Sequence, residues 1–322
     1  MKKVISLIMV FLFVLSLSAC GEKAPADETP TITIAYQQSI GFAPLMVMKE
    51  KGLLENNYDG ELNVDLKLMK GGAEINEALI SGALDVGVVG VPVAIKGVLA
   101  GSPYKIAGAM CAQPYLLLTN KPEIQTLADI TSEDQIAAIN LNSQNHILLE
   151  MACKKILGDP HALDGNVAAL SNSEGYTSML SGAVSCHLVS SPICFMELES
   201  QDADIHEIEI GPDIWPPENT AIVTIVRNSL HDNEKLYGAF MTAMDEAMQF
   251  INENPEETAE IVSQYFDASA EEILKWMQDP RYCFDQELHG VMEMADFMIE
   301  IGLLDEGPSS IDEIAYDNVK GN

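Results

Sequence analysis

The 322-residue chain carries 49 acidic against 17 basic residues, a formal net charge of −32. Such an excess repels phosphate backbones and excludes nucleic acid as a partner; it favours solubility and leaves the fold open. Only two arginines occur, Arg227 and Arg281, so any anion site must draw on other groups.

Met1-Lys2-Lys3 opens a charged start, followed by an apolar run from Val4 to Leu17 broken only by Ser6 and Ser16. This is the layout of a secretory signal, too short for a spanning helix. The run ends in Leu17-Ser-Ala-Cys20-Gly21, which resembles the bacterial lipobox, in which the cysteine becomes the acylated first residue. Residues 1–20 are therefore expected to be a lipoprotein signal peptide with Cys20 as the lipidation site. The alternative is an ordinary signal cleaved after a small residue, with Cys20 incidental. Residues 21–30 (GEKAPADETP) have the composition of a flexible tether. No later apolar run approaches membrane-spanning length, so membrane contact is expected through the lipid alone, on the extracytoplasmic face.

Beyond the tether, strands and short helices alternate. Thr31–Tyr36 is β-rich, and the loop Gln37–Gly41 leads to a helix with Pro44 in its first turn and Gly52 beyond its end. Leu62, Val64, Leu66 and Leu68 fall on one face of an alternating strand. Gly71-Gly72 turns into a helix with Ile75, Ala78 and Leu79 on one stripe. The buried strand 85–89, a helix over 92–100, and strands 104–110 and 115–119 follow.

One thirteen-residue stretch occurs twice, one hundred positions apart. Ile80-Ser-Gly-Ala-Leu-Asp-Val-Gly-Val-Val-Gly-Val-Pro92 aligns without a gap on Leu180-Ser-Gly-Ala-Val-Ser-Cys-His-Leu-Val-Ser-Ser-Pro192. Each copy ends a helix at a glycine suited to the left-handed C′ position, runs through a short apolar strand, and starts the next helix at proline. A unit present once in each half points to two similar α/β lobes with a cleft between them. Around the second copy the pattern restarts: strand 135–140, a helix ending near Gly158, strand 166–170, a capping box at Ser171-x-x-Glu174, and strand 205–210. Residues 212–219 read as a linker, 221–226 as a strand, and the tail as helices over 234–252, 255–265, 270–277 and 285–301. Segments 114–118 and 220–226 flank the middle unit as two chain crossings would. Lobe I is accordingly placed at 31–113 plus 220–322 and lobe II at 114–219, each a mixed, mostly parallel sheet flanked by helices.

Besides Cys20 the chain has Cys111, Cys153, Cys186, Cys194 and Cys283, an odd number without paired spacing, which reads as buried thiols rather than a disulfide framework. Cys186-His187 with Cys194 nearby hints at a metal, but strand alternation points Cys186 and His187 to opposite faces. The six histidines form no i, i+4 pair among themselves, and His146 reads as a packed or solvated helix residue. No metal and no cofactor are expected.

The order Gly41-Phe-Ala-Pro-Leu-Met-Val-Met-Lys-Glu-Lys-Gly-Leu-Leu54, then 80–90, then Leu127-Ala-Asp-Ile130 before the strand 136–139, resembles the solute-binding proteins of nitrate/sulfonate/taurine and thiamine-precursor importers. Phe297–Leu304 and Pro308 are similar to that family's closing helices, so the resemblance spans nearly the whole mature chain. It implies a two-lobed, type II periplasmic-binding fold that closes on a small molecule and delivers it to an ABC permease with its ATPase. It does not fix the ligand.

Independently of the resemblance, ligands of open α/β sheets bind beyond the carboxyl ends of strands, where helix N-termini point. That rule nominates Gln37, Gln38, Ser39 and Phe42, then Gly71, then Gly90 and Val91 in lobe I. In lobe II it nominates Ser143, Gln144 and Asn145, then Ser190 and Ser191. Gln113, Tyr115 and Trp215 lie near the crossings. Several of these have a second reading: Ser143, Ser190 and Ser191 as helix caps, the glycines as turn residues, and Trp215 as packing between lobes. With no arginine in these loops, and Lys70 alone adjoining them, a neutral, weakly charged or heteroaromatic ligand is expected. The chain lacks H-E-x-x-H, G-x-S-x-G, C-x-x-C, P-loop and G-x-G-x-x-G motifs. An enzyme on the same two-lobed fold and a sensory module for a receptor remain the alternative readings to an importer component.

Overall fold

A computed structural model describes residues 29–210 and 214–322. The signal peptide, Cys20, nearly all of the tether and part of the 212–219 linker lie outside the described residues.

Among the described residues, ten strands form two five-stranded sheets. The first contains β1 (Thr31–Tyr36), β2 (Asn63–Leu68), β3 (Val86–Gly90), β4 (Tyr104–Cys111) and β10 (Ile222–Arg227), in the order β2-β1-β3-β10-β4. The second contains β5 (Tyr115–Thr119), β6 (Ile136–Ala138), β7 (Val167–Ala169), β8 (Cys186–Ser190) and β9 (His206–Ile208), in the order β7-β6-β8-β5-β9. β1 runs parallel to β2 and β3, and β6 runs parallel to β7 and β8. One strand in each sheet is reversed: β10 between β3 and β4, and β5 between β8 and β9. The two sheets therefore share one topology, and the two copies of the repeat supply the equivalent central strands, β3 and β8.

The repeats differ in detail where their partners differ. Gly82 and Gly182 both take left-handed φ, +83° and +75°, as helix ends require. Pro92 sits in the first turn of the helix Val91–Leu99, whereas Pro192 caps the helix Ile193–Leu198 after a cis bond from Ser191. A Cβ on Gly87 would lie 2.5 Å from Ile75, so glycine there lets the helix Gly72–Ser81 close on the sheet. One hundred residues on, the strand carries His187 and the helix carries Gly175, whose Cβ would lie 2.6 Å from the imidazole. The helix–strand spacing survives because bulk moved from helix to strand.

The chain passes from the first sheet to the second between Cys111 and Tyr115 and returns between Ile208 and Ile222. After that return, the helices Glu234–Glu253 and Pro255–Ser263 pack on the helix Ala43–Glu50, and the helix Val291–Glu300 packs on Val91–Leu99. The tail also reaches the other sheet's elements: Trp276 stacks on Phe195 and donates to Glu199 (2.9 Å), and Arg281 pairs with Glu207 (2.9 Å).

Three sequence expectations are corrected. The helix expected over 285–301 spans only Val291–Glu300, because Leu288 bridges to Gly321 and Gly290 turns with φ +71°. Leu68 is 57 % exposed although it alternates with Leu62, Val64 and Leu66, since it is the last residue of β2, the edge strand of its sheet. Cys283 is exposed, while Cys111, Cys153, Cys186 and Cys194 are buried free thiols whose burial pushes their pKa up, to about 12 for Cys153 and Cys186.

Candidate functional site

The pairing registers fix where a ligand can sit. β1, β2 and β3 end at Tyr36, Leu68 and Gly90 on one edge of the first sheet. Because β10 is reversed and β4 reversed against it, Ile222 pairs both Gly90 and Cys111 on that same edge. In the second sheet Tyr115 of β5 pairs Ser190 of β8, so β5 begins where the parallel strands end. Both crossings thus join carboxyl edge to carboxyl edge, and the helix N-termini of both halves converge on one gap.

The two edges approach closely. Gly90 caps the helix Val91–Leu99, and a Cβ built on it would lie 3.5 Å from the Cβ of Gln144, the first residue of the helix Gln144–Leu157. Gln144 is only 5 % exposed, yet neither its amide oxygen nor its amide nitrogen has a hydrogen-bond partner. An unsatisfied buried amide costs about 1–3 kcal/mol per polar group, so a ligand that bonds it recovers that energy. The indole N–H of Trp215 is buried and unpartnered in the same way.

A hydrogen-bonded chain ties the crossings to the first loop. The Ser39 hydroxyl donates to Gln113 Oε1 (2.7 Å) and accepts from Gly41 N–H (3.2 Å), and Gln113 Nε2 donates to the Tyr115 hydroxyl (2.9 Å). Burial pushes the Tyr115 phenol well above its usual range, so it stays neutral at physiological pH. Beside this chain lies a cavity of about 220 Å³, walled by Gln113, Tyr115, Leu148, Glu209, Trp215 and Arg281 among others. Leu148 stands one helical turn past Gln144 on the same face, which links the cavity to the gap at Gly90. Arg281 brings little free charge: Asp279 takes its Nε and Nη2 (2.9 and 2.8 Å), and Glu207 takes Nη1 (2.9 Å). Arg227 lies at the opposite end of the first sheet, paired with Tyr104 where β4 begins.

The sequence-nominated residues divide accordingly. Gly90 and Gln144 meet across the gap, Gln113 and Trp215 share the cavity wall, and Gln37 donates to the Val88 carbonyl (3.4 Å), holding the first loop against β3. Gln38 is exposed, Gly71 faces open space, and Asn145 is buried beside Gln144. Ser143 makes no cap; its hydroxyl donates to Asn140 O (2.8 Å) and lies 3.5 Å from Asn145 Oδ1. Ser190 is half-buried opposite Tyr115, and Ser191 accepts from the Tyr282 hydroxyl. Phe42 and Val91 pack into the hydrophobic core, at 2 % and 0 % exposure. His187 Nδ1 bonds Glu197 (2.9 Å) within the second half, which removes the ligand role its neighbour Cys186 suggested. Leu148, Arg281 and Tyr282 escape the strand-end rule because they come from mid-helix and from the tail; the Arg281-Tyr282-Cys283-Phe284 cluster after Asp279-Pro280 is the only local signal for the latter two.

Several solved structures superpose with a TM-score above 0.7 at 18% identity. The ligand-binding component of an ABC-type import system from Staphylococcus aureus, with zinc bound, has a TM-score of 0.73, covering 89% of this chain and 96% of that one. The periplasmic aliphatic sulphonate-binding protein SsuA from Escherichia coli has 0.71, covering 90% and 93%. The periplasmic nitrate-binding protein NrtA from Synechocystis has 0.68 at 17% identity, covering 90% and 86%. No curated protein matches the sequence. The fold is that of periplasmic binding proteins. A family model described as NMT1-like matches residues 25–265, well over half of the sequence, and the chain belongs to the NMT1-like family.

Proposed function

We propose that this protein is the solute-binding component of an ABC importer, held on the extracytoplasmic face of the membrane through an acylated Cys20. It captures a small molecule between lobe I (31–113 plus 220–322) and lobe II (114–219) and delivers it to a permease driven by an ATPase. The observation that carries this reading is the pair of buried, unpartnered polar groups, the Gln144 amide facing Gly90 and the Trp215 indole N–H at the cavity wall. A planar ligand with hydrogen-bonding edges fits both: the amide reads an edge and the indole supplies a face and a donor. Both arginines are occupied or remote, which favours a neutral, weakly charged or heteroaromatic compound over a strong oxyanion.

Calorimetric titration of the purified protein with pyrimidines, aromatic acids, taurine, alkanesulfonates and nitrate tests the ligand class. Tight sulfonate or nitrate binding with no pyrimidine or aromatic response would reverse the preference. Release of a Cys20→Ala variant from the membrane fraction is the expected outcome for the anchor; unchanged retention would argue against acylation.

A further inference from the structure

His146 and Glu150 stand one turn apart on the helix Gln144–Leu157, and the loop after that helix folds back to bring Asp164 beside them. One donor atom from each lies within 4.8 Å of the other two. His146 Nδ1 and Glu150 Oε2 are 3.5 Å apart, and neither atom has a hydrogen bond, although each side chain belongs to a residue only 4 % exposed. Two such atoms left facing each other are costly as a mere contact. The separation matches something else: two donors about 2.1 Å from one tetrahedral ion lie about 3.4 Å from each other. His161 adds an outer support, its Nδ1 lying 2.9 Å from Asp164 Oδ2 and 3.6 Å from Glu150 Oε1. This is how ligating carboxylates are commonly held in orientation.

We infer that His146, Glu150 and Asp164 bind one divalent cation of the zinc class, with His161 positioning the carboxylates. One imidazole nitrogen with two carboxylates suits zinc, cobalt or nickel better than magnesium or calcium, which prefer all-oxygen sites. Three protein donors leave a fourth position for water. The ion clamps the first two turns of the helix whose first residue, Gln144, faces Gly90, so the site braces one wall of the gap. No i, i+4 histidine pair announces it, because the helical partner is a glutamate and the third donor, Asp164, arrives from beyond the helix.

The test uses the full chain stripped with a chelator and titrated with zinc chloride. One zinc per chain is expected, insensitive to millimolar magnesium, with cobalt(II) giving the visible bands of tetrahedral coordination. Asp164→Asn, in an exposed loop where folding is safe, and Glu150→Gln should each weaken zinc binding about 100-fold, and His161→Gln about 10-fold, while metal-free circular dichroism stays unchanged. Absence of stoichiometric zinc in the wild type overturns the inference. So does zinc affinity unmoved by both Asp164→Asn and Glu150→Gln, since the ion would then sit elsewhere on an acidic surface. Neither readout needs the transported solute, so the outcome is independent of the proposed function.

Discussion

If the gap between the sheets opens and shuts, a covalent staple across its mouth should lock it. Gly90→Cys combined with Gln144→Cys places two Cβ atoms about 3.5 Å apart, at the short end of the range for disulfides. Gly90 has φ −62° and ψ 147°, an extended backbone that any residue adopts, so the first change brings no strain of its own. The bond would close a loop of about 55 residues, which in the chain-entropy model stabilises the fold by about 4 kcal/mol, an upper figure because native strain subtracts from it. Among the described residues Cys283 is the exposed native thiol and should be replaced by serine; the four buried thiols are out of reach. The assay is thiol counting by mass spectrometry after mild oxidation, followed by thermal unfolding and ligand binding with and without reductant. Oxidation should consume the two introduced thiols, raise the unfolding temperature, and slow solute entry and exit until reductant is added. Accessible thiols that refuse to pair would show that the two edges do not meet as described. A bond that forms but leaves binding kinetics unchanged would show that this gap is not the route of the ligand.

Other perturbations separate site from scaffold. Gln144→Leu should lower affinity for the bound solute about 10-fold or more, since it removes both unpartnered amide atoms at nearly constant volume; unchanged calorimetry would remove Gln144 from the site. Of the two tryptophans, Trp215 walls the cavity and Trp276 is tied to Glu199. Trp215→Phe should therefore abolish a ligand-induced fluorescence change that Trp276→Phe preserves, and the opposite pattern would relocate the ligand. Asp134 accepts from the Ser185 hydroxyl (2.6 Å) and the Thr131 N–H (2.9 Å) and pairs with Lys121 (2.9 Å), which hold its carboxyl far below the usual range. Its stabilisation is complete above about pH 4 and fades as pH falls toward the native-state value. Asp134→Asn should cost about 2 kcal/mol in urea unfolding at pH 7 and progressively less below pH 4; an equal cost at both ends would refute that assignment. Gly175→Ala should destabilise by about 1–3 kcal/mol through the fixed His187 ring, whereas Gly238→Ala, exposed in mid-helix with nothing near its Cβ, should stabilise by about 0.5–1 kcal/mol.

What the sequence made legible was periodic or repeated. The strand and helix order follows from alternation and from glycine and proline punctuation, and the repeat at 80–92 and 180–192 marks the equivalent strands β3 and β8. What stayed hidden depends on contacts between segments remote in sequence. Phe42 and Val91 stand just after strands β1 and β3, where alternation alone does not say which side faces the core; both are buried. Arg281 could not be placed because its role is set by Asp279 and Glu207, 2 and 74 residues away. The pair Ile75–Gly87 and its counterpart Gly175–His187 show why the repeat was only partly readable. Aligned position by position, isoleucine opposes glycine and glycine opposes histidine, which looks like divergence. Summed across each helix–strand contact, one bulky and one absent side chain appear in both halves. The two halves keep the same spacing by opposite means, and the second half then buries an imidazole that must find Glu197 as its partner. A sheet topology can thus be held constant while the polarity of its interior changes.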